Sequence, residues 1–502
     1  MPARFNFARD VVDRLTGRAL VFVDRNGQTR ELSFAEISAG ASRWATRLRS
    51  VGVEPGDRVL VLIGKTPDWH AVMVAALKIG AVAIPCSDLL RAKDLAFRAN
   101  HAGARLLVAD RSTQDEVERM DAETEVLYLD QADLDNLPAR AEPADTAATD
   151  TAFILYTSGT TKDPKGVTHT HGYTWAKRLQ AERWLAARAG DLVWCTAGTG
   201  WAKSIWNVLL GPWSTGAAIV LHEGGFDPAE RFELIARLGV DVLCQAPTEY
   251  RIMAKQEGME RYDLAGIREA VSAGEPLNPE VIKTFRDAFG FTIRDGYGQT
   301  ENTLLVGNMP GMEIRPGSMG LPAPDHDIAV IDEEGREVAA GEEGDIALRG
   351  QPPSLFVGYW TQPDETAAVH RGEWYVTGDH ATRDEDGYIW FTGRADDVIL
   401  SAAYRIGPFE VESALLEHPA VAESGVVGKP DPERGQIVKA YVVLRPGHEP
   451  TDALARELQD HCKRVTAPYK YPREIAFIET LPKTSSGKVR RVELRARAQS
   501  ES

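Results

Sequence analysis

The sequence predicts an α/β protein in two parts. A large N-terminal domain of doubly wound α/β layers carries a small antiparallel β piece, and a small α+β domain follows it. Three observations lead there. Short β-branched runs alternate with helical segments through the first 300 or so residues. From about Ile328 the pattern changes to short strands with Gly and Asp turns, as in VIDEEGREV and EGDIALRG. Beyond RADDV at 394–398 roughly 105 residues remain with a pattern of their own, which sets the expected domains at 1–395 and 396–502. The total of 502 residues suits two or three compact units.

Element by element, residues 33–50 read as a helix. Ser33 and Glu36 make a capping box, Phe34, Ile37, Ala41, Trp44 and Leu48 recur at helical spacing, and Gly52 ends it. Arg58–Ile63 is a strand, Asp68–Ile79 a helix, and Ala81–Ile84 and Arg105–Ala109 are strands. Phe153–Tyr156, Ala218–Leu221, Val240–Cys244 and Arg268–Ser272 continue the βαβ theme. In the last part Pro408–Leu416 and Asp452–Val465 are helices, and Glu423–Val427 and Val438–Leu444 are strands.

Composition narrows the function. Hydrophobic residues are 43% and charged residues 26%, a globular balance with ample core. With 57 Lys and Arg against 74 Asp and Glu the net charge is −17, which argues against nucleic acid or an anionic membrane as partner. No apolar run reaches the ~18 residues of a membrane helix, and MPARFNFARDVVDRL lacks the apolar centre of a secretory signal. Cys86, Cys195, Cys244 and Cys462 are far apart, so reduced thiols in a cytoplasmic enzyme are expected. Against the acidic whole, His461–Arg495 holds nine Lys or Arg and three Glu. That is either a solvated terminal helix or a surface for a polyanionic small molecule.

The string YTSGTTKDPKG at 156–166 follows a strand. Hydroxyls, backbone N–H groups and a Lys in such a loop can surround phosphate oxygens, although GxxxxGK[ST] is not met. Taken alone, such a string is more often an ordinary loop. GxGxxG, HExxH and GxSxG are missing, and Ser485–Lys488 matches SxxK without that motif's context. His169 and His171 in THTHGY have no third ligand nearby, which favours loop packing over a metal pair.

YTSGTT..PKGV resembles the signature of the adenylate-forming superfamily of acyl-CoA synthetases, luciferases and peptide-synthetase adenylation domains. GEP at 274–276, YGQTE at 297–301, TGD at 377–379, GRADD at 393–397, YRIGPFEVE at 404–412 and PKTSSGK at 482–488 resemble it too, in order. FNFARDVVDR, ERGQIVKAYVVL and VTAPYKYPRE are most similar to medium-chain acyl-CoA synthetases. The resemblance implies ATP-dependent coupling of a carboxylic acid to AMP, then transfer of the acyl group to CoA. Attacker and target are both anionic in the first step, so Mg²⁺ and cationic side chains are required.

The resemblance also implies site residues. Thr157, Ser158, Gly159, Thr160, Thr161, Lys162, Asp163, Pro164 and Lys165 would hold the ATP phosphates. Gly274, Glu275 and Pro276 with Asp295, Gly296 and Tyr297 would flank adenine, joined by Gly298 and Gln299. Thr300 would contact the α-phosphate and Glu301 would hold Mg²⁺. Asp379 would accept both ribose hydroxyls, Arg394 would support the ribose, and Arg405 the phosphates. Lys488 would bridge carboxylate and α-phosphate, and Asp396 would be the hinge on which a mobile C-terminal domain turns between half-reactions. Ala402, Ala403 and Tyr404 would border the pantetheine tunnel, with Arg434, Arg464, Lys470 and Arg473 meeting CoA phosphates. Intact Lys165, Glu301, Asp379, Arg405 and Lys488 argue against a silent binding protein on this fold, and a lysine acyltransferase acting on Lys488 is an expected partner.

Two departures stand out. Lys162 replaces a Gly of the phosphate loop, and Ala403 replaces a Gly beside the tunnel, where one methyl narrows the passage. For the acid, Gly298 stands where acetate-specific relatives carry Trp, leaving room for longer, branched or aromatic acids. Trp201, Lys203, Trp206 and Ala273 are expected near that pocket, with Trp206 limiting its depth, unless both Trp side chains are simply core. The expected substrate is a short-to-medium-chain acid. The alternatives are an aryl-CoA ligase for a benzoate-like acid, or an acyl-AMP ligase that loads a carrier protein.

Overall fold

The computed structural model of the chain describes residues 1–157, 164–394, 397–401, 404–432, 434–466, 469–483 and 488–501, with the Arg405 side chain excluded. Contacts divide it into two units. The first comprises Met1–Gly274, Phe285–Met312 and Gln351–Ala368, and the second Glu275–Thr284, Glu313–Gly350 and Val369–Ser502.

The first unit contains two sheets. The strands, in chain order, are β1 (Arg18–Val23), β2 (Thr29–Ser33), β3 (Arg58–Leu62), β4 (Val82–Cys86), β5 (Leu106–Ala109), β6 (Glu125–Tyr128), β7 (Thr151–Thr157) and β8 (Lys165–Thr170). They continue as β9 (Leu192–Cys195), β10 (Ala218–His222), β11 (Val242–Gln245), β12 (Glu269–Ala273), β13 (Ile293–Gly298) and β14 (Leu304–Gly307). One sheet runs β8-β7-β4-β3-β5-β6, the other β14-β13-β12-β11-β9-β10-β1-β2. Both are parallel except at β7–β8, β1–β2 and β13–β14, and at the edge of the first sheet, where the short strand Gly358–Tyr359 pairs antiparallel with β8. Buried runs such as VLVL of β3 and VAIPC of β4 are covered on both faces, which is why they lack polar alternation.

Helix α1 (Phe34–Ser50) begins at the predicted cap, with the Ser33 hydroxyl accepting from Glu36 N at 3.2 Å and the Glu36 carboxylate accepting from Ser33 N at 2.8 Å. Helix α2 (Pro67–Ile79) is buried on every side from Trp69 onward, as a helix without a polar face must be. Helix α3 (His171–Gln180) follows β8 directly and runs into a π-helical turn at Ala181–Leu185. A second π-helical segment, Ile205–Leu210, carries Trp206. Hydrophobic periodicity does not distinguish either from an α-helix, and such turns recur at functional sites.

In the second unit an antiparallel sheet joins Ile328–Ile331, Glu343–Arg349, Trp374–Arg383 and Ile389–Arg394. A further sheet is built on the hairpin Val421–Asp431/Gly435–Leu444. Both strands are longer than their apolar cores suggest, because the polar tips 428–431 and 435–437 pair across the turn. Helices Pro408–Leu416 and Asp452–Val465 pack on that sheet through Val411, Leu415, Leu458 and Cys462. Among the described residues no helix is long and apolar enough to cross a membrane.

His169 and His171 are not in a loop. His169 is the fifth residue of β8 and His171 opens α3, and both are buried. The described residues hold no group of three metal-ligating side chains. Burial pushes His169 down to about 3, and His171 and the equally buried His70 to about 4. All three are therefore neutral in the native state and titrate near 6.5 when unfolded. Below pH 6.5 the unfolded chain binds more protons, so stability falls as pH drops toward 4.

Two outcomes are expected. The unfolding free energy from urea titration should decrease from pH 7 to pH 5, by up to about 2 kcal/mol for each fully buried histidine, and His70→Phe should flatten that slope. Ser33→Ala should cost about 1 kcal/mol in the same assay through loss of the cap.

Candidate active site

The phosphate-loop string is framed by a hairpin. Thr157 at the end of β7 pairs with Lys165 at the start of β8, so the segment between them is the connection. Ser158, Gly159, Thr160, Thr161, Lys162 and Asp163 lie outside the described residues, the departure at Lys162 among them. Lys165 Nζ forms an ion pair with Glu365 at 2.5 Å and lies 4.7 Å from the Tyr359 ring centroid. The Tyr359 hydroxyl in turn donates to Glu301 Oε1 at 2.9 Å. Lys165 and Glu301, distant in sequence, thus meet on one tyrosine. Neither Tyr359 nor Glu365 belongs to a motif, and an isolated GYW or DET carries no signal that could have found them.

The strand ends bring the adenine candidates together. In the parallel pair β12–β13, Ser272 faces Asp295 and Ala273 faces Gly296, so Gly274, just past the end of β12, comes beside Tyr297 near the end of β13. Gly274 has φ +110°, which L side chains rarely adopt. A Cβ on Gly296 would lie 2.5 Å from the Trp184 ring, whose Nε1 donates to Asp295 O at 3.3 Å. Glu275 and Pro276 belong to the other unit.

Beyond β13 comes the turn 299–302, closed by Gln299 N donating to Asn302 Oδ1 at 2.9 Å. Three successive carbonyls in it are taken by donors from elsewhere. Thr300 O receives His169 Nε2 at 2.7 Å; since a carbonyl only accepts, that nitrogen carries the hydrogen. Glu301 O accepts from Phe356 N at 2.7 Å. Asn302 O accepts from Lys177 Nζ at 3.3 Å and the Tyr173 hydroxyl at 3.4 Å. Gln180 Oε1 accepts from the Thr303 hydroxyl at 2.5 Å. Sequence reasoning misses Tyr173, Lys177 and Gln180, although a signal exists: polar residues at i, i+4 and i+7 form one stripe of α3.

Of the pocket candidates, Lys203 and Ala273 are in direct contact. Lys203 Nζ donates to Ala273 O and to Gln245 O, both at 2.9 Å, at the C-terminal ends of β12 and β11. Open parallel sheets bind ligands at that edge. Trp206 is buried, with its Nε1 donating to the Tyr173 hydroxyl at 2.5 Å. Trp201 is half-buried on the loop where a Cβ on Gly200 would sit 2.0 Å from Ser87 N. Gly298 has a cause beyond pocket room: a Cβ there would lie 2.0 Å from Thr303 O, at the irregularity where β13 leaves register with β14. A side chain at 298 requires this turn to move.

In the second unit Asp379 and Arg394 face each other across paired strands, and Arg394 Nε donates to Asp379 Oδ1 at 3.1 Å. Gly378 at φ +70° turns the strand, and the Thr377 hydroxyl accepts from Asp379 N at 3.2 Å. Lys488 is exposed, just before Val489, which bridges to Lys483. Three residues on, the Arg491 guanidinium holds buried Glu412 at 2.6 and 2.9 Å, anchoring the segment to helix Pro408–Leu416. Asp396, Ala402, Ala403 and the Arg405 side chain lie outside the described residues. Tyr404 is exposed and stacks on Tyr469 with centroids 4.2 Å apart. Lys470 pairs with Glu410, Arg473 lies over Tyr471, and in the same unit Arg434 is half-buried and Arg464 exposed.

Comparison with known proteins places the chain in a family. The AMP-binding enzyme family matches residues 9–360 and its C-terminal domain matches residues 410–488. An uncharacterized acyl-CoA ligase of Bacillus subtilis, YtcI, is 44% identical over 490 residues, covering 95% of this chain and 93% of its own. The mitochondrial acyl-coenzyme A synthetase ACSM3 of Mus musculus is 41% identical over 527 residues, covering 99% and 91%. The crystal structure of the anthranilate CoA ligase AuaEII superposes with a TM-score of 0.92 at 31% identity, covering 100% and 98%. The chain belongs to the AMP-binding enzyme family, in its acyl-CoA synthetase branch.

Proposed function

We propose that this AMP-forming acid–thiol ligase activates a short-to-medium-chain, including branched, carboxylic acid and transfers it to CoA in the cytoplasm. The meeting of Lys165 and Glu301 on Tyr359, beside the hairpin that carries the Ser/Thr/Gly string, carries this reading. A carboxylate oxygen attacks the α-phosphate of ATP, and the bond to pyrophosphate breaks. The CoA thiolate then attacks the acyl carbonyl and AMP leaves. Lys165 and the 157–165 segment hold the phosphates, Thr300 the α-phosphate, and Asp379 with Arg394 the ribose. Arg405 and Lys488 supply positive charge where the attacking carboxylate approaches.

A single carboxylate at Glu301, oriented by the Tyr359 hydroxyl, fits Mg²⁺ that arrives largely ligated by phosphate and water. When bound, the ion screens the negative charge on the phosphates. In this reading Asp396 is the hinge of a mobile C-terminal domain, so that Lys488 serves adenylation and the 402–404 segment serves the thioester step. Arg434, Arg464, Lys470 and Arg473 meet the CoA phosphates. The exposure of Lys488 supports its modification by a lysine acyltransferase.

An aryl acid is the second reading, favoured by the whole-chain likeness to an anthranilate CoA ligase. AMP release measured over acetate to dodecanoate, branched acids and benzoates, with and without CoA, decides between them. Neighbouring chain lengths should overlap, since each methylene is worth only about 1–3 kcal/mol. Pyrophosphate exchange without thioester on any acid would instead indicate a carrier protein as acceptor.

Lys488→Ala should lower acid-dependent pyrophosphate exchange several-hundred-fold, about 3–4 kcal/mol, and spare thioester formation from supplied acyl adenylate. Glu365→Gln should lower the KM for ATP by roughly two- to fivefold, because Lys165 loses a competing partner that is itself half exposed.

A further inference from the structure

Lys177 is a buried lysine that the chemistry above does not use. It sits on α3 with 1% of its surface exposed. Its Nζ lies 4.3 Å from the Tyr173 ring centroid and 4.3 Å from that of Trp206, and it donates a hydrogen bond to Asn302 O. No carboxylate among the described residues lies within ion-pair reach of it. Burial holds its pKa well below the usual lysine range. A buried amine with so few polar partners costs stability in either protonation state, and an apolar side chain of similar length would fill the space at less cost.

The same cluster touches both halves of the candidate site in this unit. Asn302 follows Thr300 and Glu301 and closes their turn through Gln299 N. Trp206 is tied through Nε1 to the Tyr173 hydroxyl, which also donates to Asn302 O. His169, the donor to Thr300 O, stacks on Tyr173 with centroids 3.7 Å apart. The rings of Tyr173 and Trp206 present their negative faces to Nζ, and the carbonyl supplies the remaining dipole.

We infer that Lys177 is a positioning residue, whose side-chain nitrogen clamps the 299–302 turn to the pocket-side Trp206 so that the Mg²⁺·ATP turn and the acid pocket keep one relative geometry. This rests on Thr300 and Glu301 serving Mg²⁺·ATP, as in the proposed function. Lys177 acts through Asn302 and Trp206 and touches no substrate. The arrangement trades stability for geometry, which separates it from an ordinary packing residue.

The test is Lys177→Met, compared with wild type in acid-dependent pyrophosphate exchange over the acid panel, in Mg²⁺·ATP binding by calorimetry, and in thermal unfolding. The expected result is a thermal midpoint equal to or above wild type, with exchange reduced tenfold or more, Mg²⁺·ATP bound at least several-fold more weakly, and a flattened chain-length preference. Tyr173→Phe, which removes the second bond to Asn302 O, should act in the same direction, and the double variant should lose less than the product of the two. Unchanged exchange and unchanged Mg²⁺·ATP binding in Lys177→Met would overturn the inference. So would a lowered midpoint with normal activity per folded molecule, the signature of a packing residue. Wild type that binds Mg²⁺·ATP but exchanges with no acid would defeat the proposed function instead, and the binding comparison would still judge Lys177.

Discussion

A buried carbonyl needs a donor, and the turn 299–302 presents three in succession. His169, the backbone of Phe356, and Lys177 with Tyr173 answer them in order. Much of the first unit's site organisation follows from that requirement. β8 must deliver His169, α3 must start at once so that Tyr173 and Lys177 follow on one face, and the 351–368 segment must return to bring Phe356 and Tyr359. Tyr359 then orients Glu301, and the Lys165 ammonium lies over its ring. The residues that would handle phosphate and metal are held by groups that do neither.

Such a scaffold explains why so many titratable groups are buried here without being catalytic. Burial keeps His169 neutral across the physiological range, and the carbonyl of Thr300 selects the tautomer that carries its hydrogen on Nε2. Lys177 is likewise a titratable group placed where burial disfavours its charged form. Both are stability costs incurred at one turn, in keeping with the general pattern that binding sites are less than optimally stable.

Much of the fold was legible locally. The α1 cap, the boundaries of α2, and the parallel strands of the first unit follow from spacing and β-branched runs, because one face or both must be buried. The polar tips of the Val421–Asp431 hairpin were not, since pairing across a turn does not need apolar letters. The two π-helical turns were not either, as one extra residue per turn barely changes the periodicity. Motif strings named Lys165, Glu301, Asp379 and Arg394. Tyr359, Tyr173 and Lys177 belong to no string, because their role depends on which carbonyl or ring lies opposite.

By itself the sequence determined the α/β class, most of the regular elements and, through its motif strings, the family, since each of these is encoded in neighbours along the chain. Only the tertiary structure decided that Lys165 and Glu301 share Tyr359, that His169 is a donor and no metal ligand, and that Gly298 is required by Thr303 O as well as by any substrate. The physical reason is the same in each case. These contacts join residues that are far apart in sequence, or turn back on the backbone within a few residues, and their energies depend on ångström-scale distances that no one-dimensional pattern records.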